Sequence, residues 1–426
     1  MSGQPRTLRR FLFGIAIAAS LLAGPSYDIA ATDKNSFAGS SVDGVLQNAV
    51  EQKKIPGVVA MVADANGVVY RGAFGKRDEG RGIPMTADTI FRIASMTKPV
   101  TSVALMQLVE LGKVKLDAPA GTYLPELSRV MVLDATGAKS GKPVLRAPKS
   151  PVTVRQLLTH TSGFVYENWD RELHEYRTKS DPSGASGAGL PGEPLLFDPG
   201  TRWHYGTSTL WLGKLVEAVS GQTLEEYFRQ HILDPLGMAD TSFNVPPAKQ
   251  ARLVTMHQRE PGGRLVETPP SPIEPVKNYR GDGGLYSTAP DYVKFMRMIL
   301  AGGQLGTVRL LRPETVAMMR TNQIGALTVA EFEATDPKVS ENGAVPGGLD
   351  KFGFGFALNT KPVAGGRAAG SMAWAGVENT YFWIDPANKT CAVLMMQISP
   401  FLDDSSIAVL KDFERAVYAA SEEPVV

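Results

Sequence analysis

Ser95 and Lys98 stand three residues apart in Phe91-Arg92-Ile93-Ala94-Ser95-Met96-Thr97-Lys98-Pro99. The apolar residues that follow, Val100, Val103, Ala104, Met106 and Leu108, recur at helical spacing, which puts the pair at the mouth of a helix from Ser95 to Leu111, stopped by Gly112. Residues three apart on a helix share a face, so the lysine amine can take the serine hydroxyl proton. That is the chemistry of a serine nucleophile with a lysine base. The helix N-terminus adds about half a positive charge and free backbone N–H groups, which favour an alkoxide and a tetrahedral oxyanion. Pro99 fits the first turn, where its missing N–H costs no helical bond. A lysine near its ordinary pKa of ~10.4 is protonated at neutral pH, so Lys98 needs burial, or a nearby phenol must take the proton. S-x-x-K alone is a weak signal, because a serine helix cap followed by an exposed lysine gives the same pattern.

Two further segments strengthen it. Phe197-Asp198-Pro199-Gly200-Thr201-Arg202-Trp203-His204-Tyr205-Gly206-Thr207-Ser208 places Tyr205 just before a helix, and Ala373-Trp374-Ala375-Gly376-Val377 lies between two expected strands. In order and spacing the three segments resemble the penicillin-recognising serine hydrolases. Within these the chain is most similar to family VIII carboxylesterases, relatives of class C β-lactamases and serine D-Ala-D-Ala carboxypeptidases. Ser95 and Lys98 match the S-x-x-K motif; Tyr205-Gly206-Thr207 matches Y-x-N with Thr for Asn; Trp374-Ala375-Gly376 matches W-x-G, the esterase counterpart of K-T-G. Leu157 to Gly163, Asp234 to Met238, Gly283 to Thr288 and Phe382 to Pro386 look like landmarks of the same family, and the likeness spans about Ser41 to Tyr418.

The resemblance implies that Ser95 attacks, that Lys98 and Tyr205 form a coupled proton-transfer pair, and that the Ser95 and Val377 N–H groups make the oxyanion hole. Trp374, Ala375 and Gly376 would bind substrate, with Gly376 keeping the strand edge open. Trp374 offers a flat apolar wall and one N–H donor where a lysine would hold a carboxylate, so an uncharged, short-chain ester is the expected guest. A class C-like β-lactamase or D-Ala-D-Ala carboxypeptidase shares the acylation machinery and stays open, as does a non-catalytic peptidoglycan- or partner-binding module. Lys139-Ser140-Gly141 precedes Tyr205, and Lys389-Thr390-Cys391 lacks the glycine, so neither serves as the third motif.

Other chemistries lack their residues. The histidines, His160, His174, His204, His231 and His257, form no close ligand pair, and no metal or cofactor is called for. His160 is expected to fix a loop by hydrogen bonding, and His204 to turn away from Tyr205. Arg280 and Asp282 read equally as pocket lining or as an ion pair closing a loop. One cysteine, Cys391, in the apolar run to Met396, reads as a buried inert thiol. Lys and Arg number 44 against 43 Asp and Glu, so no net field gathers nucleic acid.

The elements that position these residues come from both ends of the chain. A helix from Ser41 to Lys53 leads to strands Val58 to Ala63 and Val68 to Phe74 around Asn66-Gly67, a type I′ hairpin signal. Phe352 to Leu358, Ala368 to Trp374, Thr380 to Ile384 and Thr390 to Ile398 read as strands, with a turn at Asp385 to Asn388. A last helix, capped by Asp404 or Ser405, carries Ile407, Leu410, Phe413 and Val417 on one face. The segments between are helical, with caps at Thr223 and Thr288. The expected fold is therefore α/β (α+β): an antiparallel sheet flanked by helices, with an inserted helical lobe, as in β-lactamases and D-Ala-D-Ala carboxypeptidases. Residues 32–92 and 345–426 would form the α/β lobe and residues 93–344 the helical one. Asp134 to Pro151, Thr178 to Pro199 and Val245 to Gly283 are Gly/Pro-rich connections suited to lids or site walls.

Arg6, Arg9 and Arg10 precede the uncharged run Phe11 to Gly24, which is too short to span a bilayer comfortably. Residues 1–31 therefore read as an export signal, compatible with the twin-arginine type, for a periplasmic or secreted protein without stable membrane insertion. Removing them changes the net charge from +1 to −1. The sequence leaves the oligomeric state open.

Overall fold

Strands from the two ends of the chain join in one eight-stranded antiparallel sheet. β1 (Gly57–Asp64), β2 (Val68–Asp78) and β3 (Ile83–Pro84) come from the N-terminal side. β4 (Leu349–Phe352), β5 (Ala357–Asn359), β6 (Met372–Gly376), β7 (Thr380–Asp385) and β8 (Thr390–Met395) come from the C-terminal side. The spatial order is β4-β5-β6-β7-β8-β1-β2-β3. The two halves meet where β1 pairs with β8, Val59 opposite Met395 and Asp64 opposite Thr390. The computed structural model describes Met1 and residues 41–134, 144–180, 192–268 and 273–422. The candidate export signal beyond Met1, Lys139-Ser140-Gly141 and parts of the long connections lie outside the described residues.

The principal helices are α1 (Ser41–Glu51), α2 (Thr97–Glu110), α3 (Ser208–Ser220), α4 (Leu224–Phe228), α5 (Ala289–Leu300) and α6 (Asp404–Glu422). β7 is buried at every position, and the strand period assigns its two covers. Phe382 meets Tyr292 of α5 with ring centroids 5.2 Å apart, while its neighbour Trp383 meets Phe413 of α6 at 5.5 Å. Adjacent strand side chains point to opposite faces, so α5 covers one face and α6, packed with α1, covers the other. Buried Arg367 and Glu414, joined at 2.8 Å, tie the chain before β6 to α6.

α2 is buried on all sides from Thr97 to Met106, as a helix through the core must be. α3 packs against it and ends at Gly221 in the left-handed region. Thr223 and Glu226 form the expected capping box of α4, and Thr288 caps α5 through the Asp291 N–H. Among the described residues, no helix is long and apolar enough to cross a membrane.

Several local expectations need correction. The first hairpin forms, but neither Asn66 nor Gly67 has the positive φ that a type I′ turn requires. Instead the Asp64 carboxylate accepts both their N–H groups, at 2.7 and 2.8 Å. The run from Phe352 to Leu358 is two strands, because the chain bends through Gly353 and Gly355, the latter at φ 88°. A side chain on Gly355 would sit 2.4 Å from Ser102 Oγ. The next strand spans Met372–Gly376 rather than Ala368 to Trp374. The strand from Thr390 stops at Met395, and Ile398–Ser399 pairs separately with His257–Arg259. The last helix is capped one residue early: Asp403 accepts the Ser406 N–H at 2.9 Å.

Candidate active site

Ser95 sits in a tight 3-10 turn, Ala94–Met96, that runs directly into α2. Ala94 holds φ at 41°, a conformation that costs a non-glycine residue roughly 1–3 kcal/mol and persists only where its surroundings fix it. They do so here. Phe91 and Arg92 pair with Ser287 and Tyr286, Ile93 donates to Leu285 O at 3.1 Å, and Tyr292 donates to Met96 O at 2.9 Å. Thr97 Oγ1 in turn accepts the Leu285 N–H. The segment from Arg280 to Ser287 is thereby laid along the start of α2. Its inner end approaches closely because Gly281 faces Gly213 of α3, where an added Cβ would be 3.0 Å from Gly213 Cα.

Lys98 Nζ lies 3.0 Å from Ser95 Oγ, 2.6 Å from the Asp282 carbonyl oxygen and 3.2 Å from the Tyr166 hydroxyl. Tyr205 donates its hydroxyl to Ser95 Oγ at 2.6 Å. The Trp374 indole lies against Tyr205, with ring centroids 5.0 Å apart, and its N–H, which can only donate, works against the rise of the phenol pKa. Tyr205 is held in an aromatic cage, with centroids of Trp374, His160, Tyr166, Trp169 and Phe332 between 5.0 and 5.6 Å away. Gly206 makes this placement possible. A Cβ there would fall 2.1 Å from Phe164 O, so only glycine lets the chain at Tyr205 lie against the chain at Tyr166.

Burial governs the charges. Lys98 is brought down from 10.5 to about 7, chiefly by desolvation, with Asp282 opposing and Arg280 adding to the fall. Desolvation pushes the Tyr205 phenol well above its ordinary range. At neutral pH the amine can therefore be an uncharged base while the phenol keeps its proton. Of the two groups whose roles spacing left open, Lys98 is the one suited to accept from Ser95 and Tyr205 the one suited to donate.

β6 completes the arrangement. A Cβ on Gly376 would lie 2.5 Å from Ile93 O, so the strand runs directly alongside the Ser95 turn. Val377 follows the strand end, and its N–H donates to no backbone acceptor among the described residues. Trp374 and Ala375 are buried. Behind Trp374 lies a cavity of about 140 Å³ whose walls include Val329, Phe332, Val345 and Leu349. Thr207, in the place of the motif asparagine, turns its hydroxyl toward Glu193 at 3.5 Å.

The structure thus brings together Ser95, Lys98, Tyr205, Trp374, Gly376 and Val377. It also adds Tyr166, which donates to the Asp282 carboxylate. Nothing local marks Tyr166 in the sequence beyond its place three residues after Gly163, since its partner is 116 residues away. His160 is a correction. Its ring Nδ1 is buried without a partner among the described residues, so the ring works by packing, and the loop is fixed through its backbone carbonyl, which accepts the His204 N–H at 3.0 Å. The His204 ring lies 3.5 Å from Asp170.

Comparison with known proteins agrees with this architecture. The beta-lactamase family model matches residues 42–413. The chain is 31% identical to monacolin J acid methylbutanoyltransferase of Aspergillus terreus, over 89% of this chain and 95% of that protein. It is 32% identical to lovastatin esterase of Penicillium rubens, over 88% and 98%. Among solved structures, the LovD9 mutant of simvastatin synthase (LovD) from Aspergillus terreus superposes with a TM-score of 0.77 at 30% identity, covering 90% of this chain and 99% of that one. A match that runs from the first helix into the last, over a sheet built from both chain ends, makes this chain a member of the beta-lactamase family.

Proposed function

We propose that this chain is a serine acyl hydrolase of the family VIII carboxylesterase type, working through an acyl-enzyme on Ser95 and cleaving small, uncharged, short-chain carboxylic esters. The observation that carries the reading is the contact of Ser95 Oγ with Lys98 Nζ at 3.0 Å and with Tyr205 OH at 2.6 Å. In the first step Ser95 Oγ bonds to the ester carbonyl carbon and its proton passes to neutral Lys98. The N–H groups of Ser95 and Val377 receive the oxyanion. The C–O bond to the alcohol then breaks, and the departing oxygen takes from Lys98 the proton that came from Ser95. Water attacks the acyl-enzyme, gives its proton to the same amine, and the acid leaves as Ser95 is reprotonated.

Trp374 supports an uncharged substrate, because a wall of indole has no cation for a carboxylate. The cavity that Trp374 lines, about 140 Å³ and walled by Val329, Phe332, Val345 and Leu349 together with Glu331, supports a small substrate group by its size. A second reading is favoured by the methylbutanoyltransferase similarity: an alcohol rather than water accepts the acyl group from Ser95. Hydrolysis of p-nitrophenyl acetate and butyrate, beside nitrocefin and with or without an added alcohol, separates these outcomes. The reading predicts ester turnover above nitrocefin turnover and its loss in Ser95→Ala. Ester turnover that survives Ser95→Ala would sink the mechanism, faster nitrocefin turnover would reverse the choice of substrate, and a new ester as main product would favour transfer. We also propose that residues 1–31 are removed on export, on the strength of Arg9-Arg10 and the apolar run after them; a mature N-terminus at Met1 or Ser2 in the exported protein would refute this.

A further inference from the structure

The amine of Lys98 has three partners among the described residues: Ser95 Oγ, Tyr166 OH and the carbonyl oxygen of Asp282. A neutral amine has two N–H donors and one lone pair, and the geometry dictates where each goes. The Asp282 carbonyl only accepts, so one N–H points there, at 2.6 Å. Tyr166 has a single hydroxyl hydrogen. It is held by the Asp282 carboxylate, which Arg280 grips at 2.8 and 3.1 Å and which, ionised, can only accept. The Tyr166 oxygen therefore presents a lone pair to Lys98 and takes the second N–H, at 3.2 Å. Only the nitrogen lone pair remains, and only Ser95 remains to face it.

We propose that Tyr166 and Asp282, backed by Arg280, are positioning residues that turn the lone pair of Lys98 toward Ser95. The inference rests on the reading of Ser95 as nucleophile and Lys98 as its base. The same bookkeeping fits the other side of Ser95: its oxygen accepts from Tyr205, which leaves the serine hydrogen to donate to Lys98. Without the acceptor at Tyr166 the amine is free to turn an N–H toward Ser95, which makes it a donor instead of a base. The site is closed enough for this to matter, because Lys98 and Asp282 are each 2% exposed.

The charged and titratable groups around the amine are Asp282 and Arg280 from the segment before Leu285, Tyr166 and His160 from the chain after the short helix Val154–Leu158, and Tyr205 from the chain before α3. Asp282 favours the protonated amine and Arg280 disfavours it. The two variants must therefore move the Lys98 titration in opposite directions, which no general loosening of the fold does. Asp282→Asn removes the anion, so the midpoint falls; Arg280→Gln removes the cation, so it rises.

The titration is read directly by NMR of 13Cε-lysine-labelled protein, the Lys98 signal being assigned with Lys98→Arg. This measurement needs no turnover, so it tests the positioning set even where ester hydrolysis fails. Tyr166→Phe, nearly the same in shape, is assayed alongside with p-nitrophenyl butyrate. The expected results are opposite midpoint shifts in Asp282→Asn and Arg280→Gln, and a kcat in Tyr166→Phe lowered by about 10- to 100-fold with KM within about twofold, the cost of a misaligned base. Unchanged midpoints in both charge variants, or full kcat in Tyr166→Phe, overturn the proposal. Ester turnover surviving Ser95→Ala fails the underlying reading instead, and the two failures are thereby distinguished.

Discussion

Adding one methyl group at Gly376 should disable the site without touching a reacting atom. A Cβ on this residue falls 2.2 Å from Thr380 Oγ1 and 2.5 Å from the Ile93 carbonyl oxygen, and real Cβ atoms essentially never come within 3.0 Å. In Gly376→Ala the strand and the Ser95 turn must therefore part by about 0.5 Å, and by about 0.9 Å to reach ordinary van der Waals contact in a close-packed interior. Ile93 is two residues from Ser95 and Gly376 is next to Val377, so this separation opens the space between the proposed nucleophile and the proposed oxyanion donor. A misplacement of this size costs about 100-fold in kcat, and the overpacking costs about 1–3 kcal/mol of stability. Adding Thr380→Ala separates the two effects. Thr380 Oγ1 is buried without a hydrogen-bond partner among the described residues, so its loss relieves one clash and leaves no polar group stranded, while the clash with Ile93 remains. The double variant should regain stability in urea denaturation but not kcat on p-nitrophenyl butyrate. A Gly376→Ala enzyme within about threefold of the wild-type kcat, or a double variant that recovers the rate, would refute the close-approach argument.

Lys98, brought down to about 7, gives kcat/KM a rising acid limb: below that pH the amine is protonated and cannot accept from Ser95, so the rate falls about tenfold per pH unit. A flat profile from pH 5 to 8 contradicts this. The same depression means that the unfolded chain binds more protons between about 7 and 10.5, so Lys98 makes stability rise with pH across that window, and Lys98→Met should flatten the rise in urea titrations at successive pH values. Arg367→Met strands the buried Glu414 carboxylate and should cost about 3–5 kcal/mol, while the acid limb stays in place; a shifted limb would argue against a purely structural role. Burial pushes the Cys391 thiol up to about 12, so iodoacetamide should label it in urea and leave it untouched in the folded protein at pH 8.

Much of this was legible in the sequence because it is local. Three-residue spacing on a helix puts Ser95 beside Lys98 whatever lies around them, and the caps at Thr223 and Thr288 are satisfied within their own first turns. The strand expected at Thr380 to Ile384 stands as β7, Thr380–Asp385. What failed was set by partners outside the local window. Asn66-Gly67 is the local exception: it signals a turn, but the Asp64 carboxylate two and three residues back chose its geometry. Phe352 to Leu358 has strand composition, yet Gly353 and Gly355 must let the chain pass Met319 and Ser102. Tyr166 carries no local signal, because its role exists only where the Asp282 turn reaches Lys98. Arg280 and Asp282 stood out as a pair, but a sequence has no way to say that the Asp282 carbonyl faces the amine while its carboxylate faces Tyr166.

The central claim is that Ser95 is the nucleophile and Lys98 its base. Treating the protein with a fluorophosphonate at pH 8 and locating the adduct by peptide mass spectrometry tests it most directly. A single adduct on Ser95, formed more slowly as the pH is lowered through about 7 and nearly abolished in Lys98→Met, is the predicted result. An adduct on any other residue, or labelling of Ser95 that is as fast in Lys98→Met as in the wild type, contradicts it.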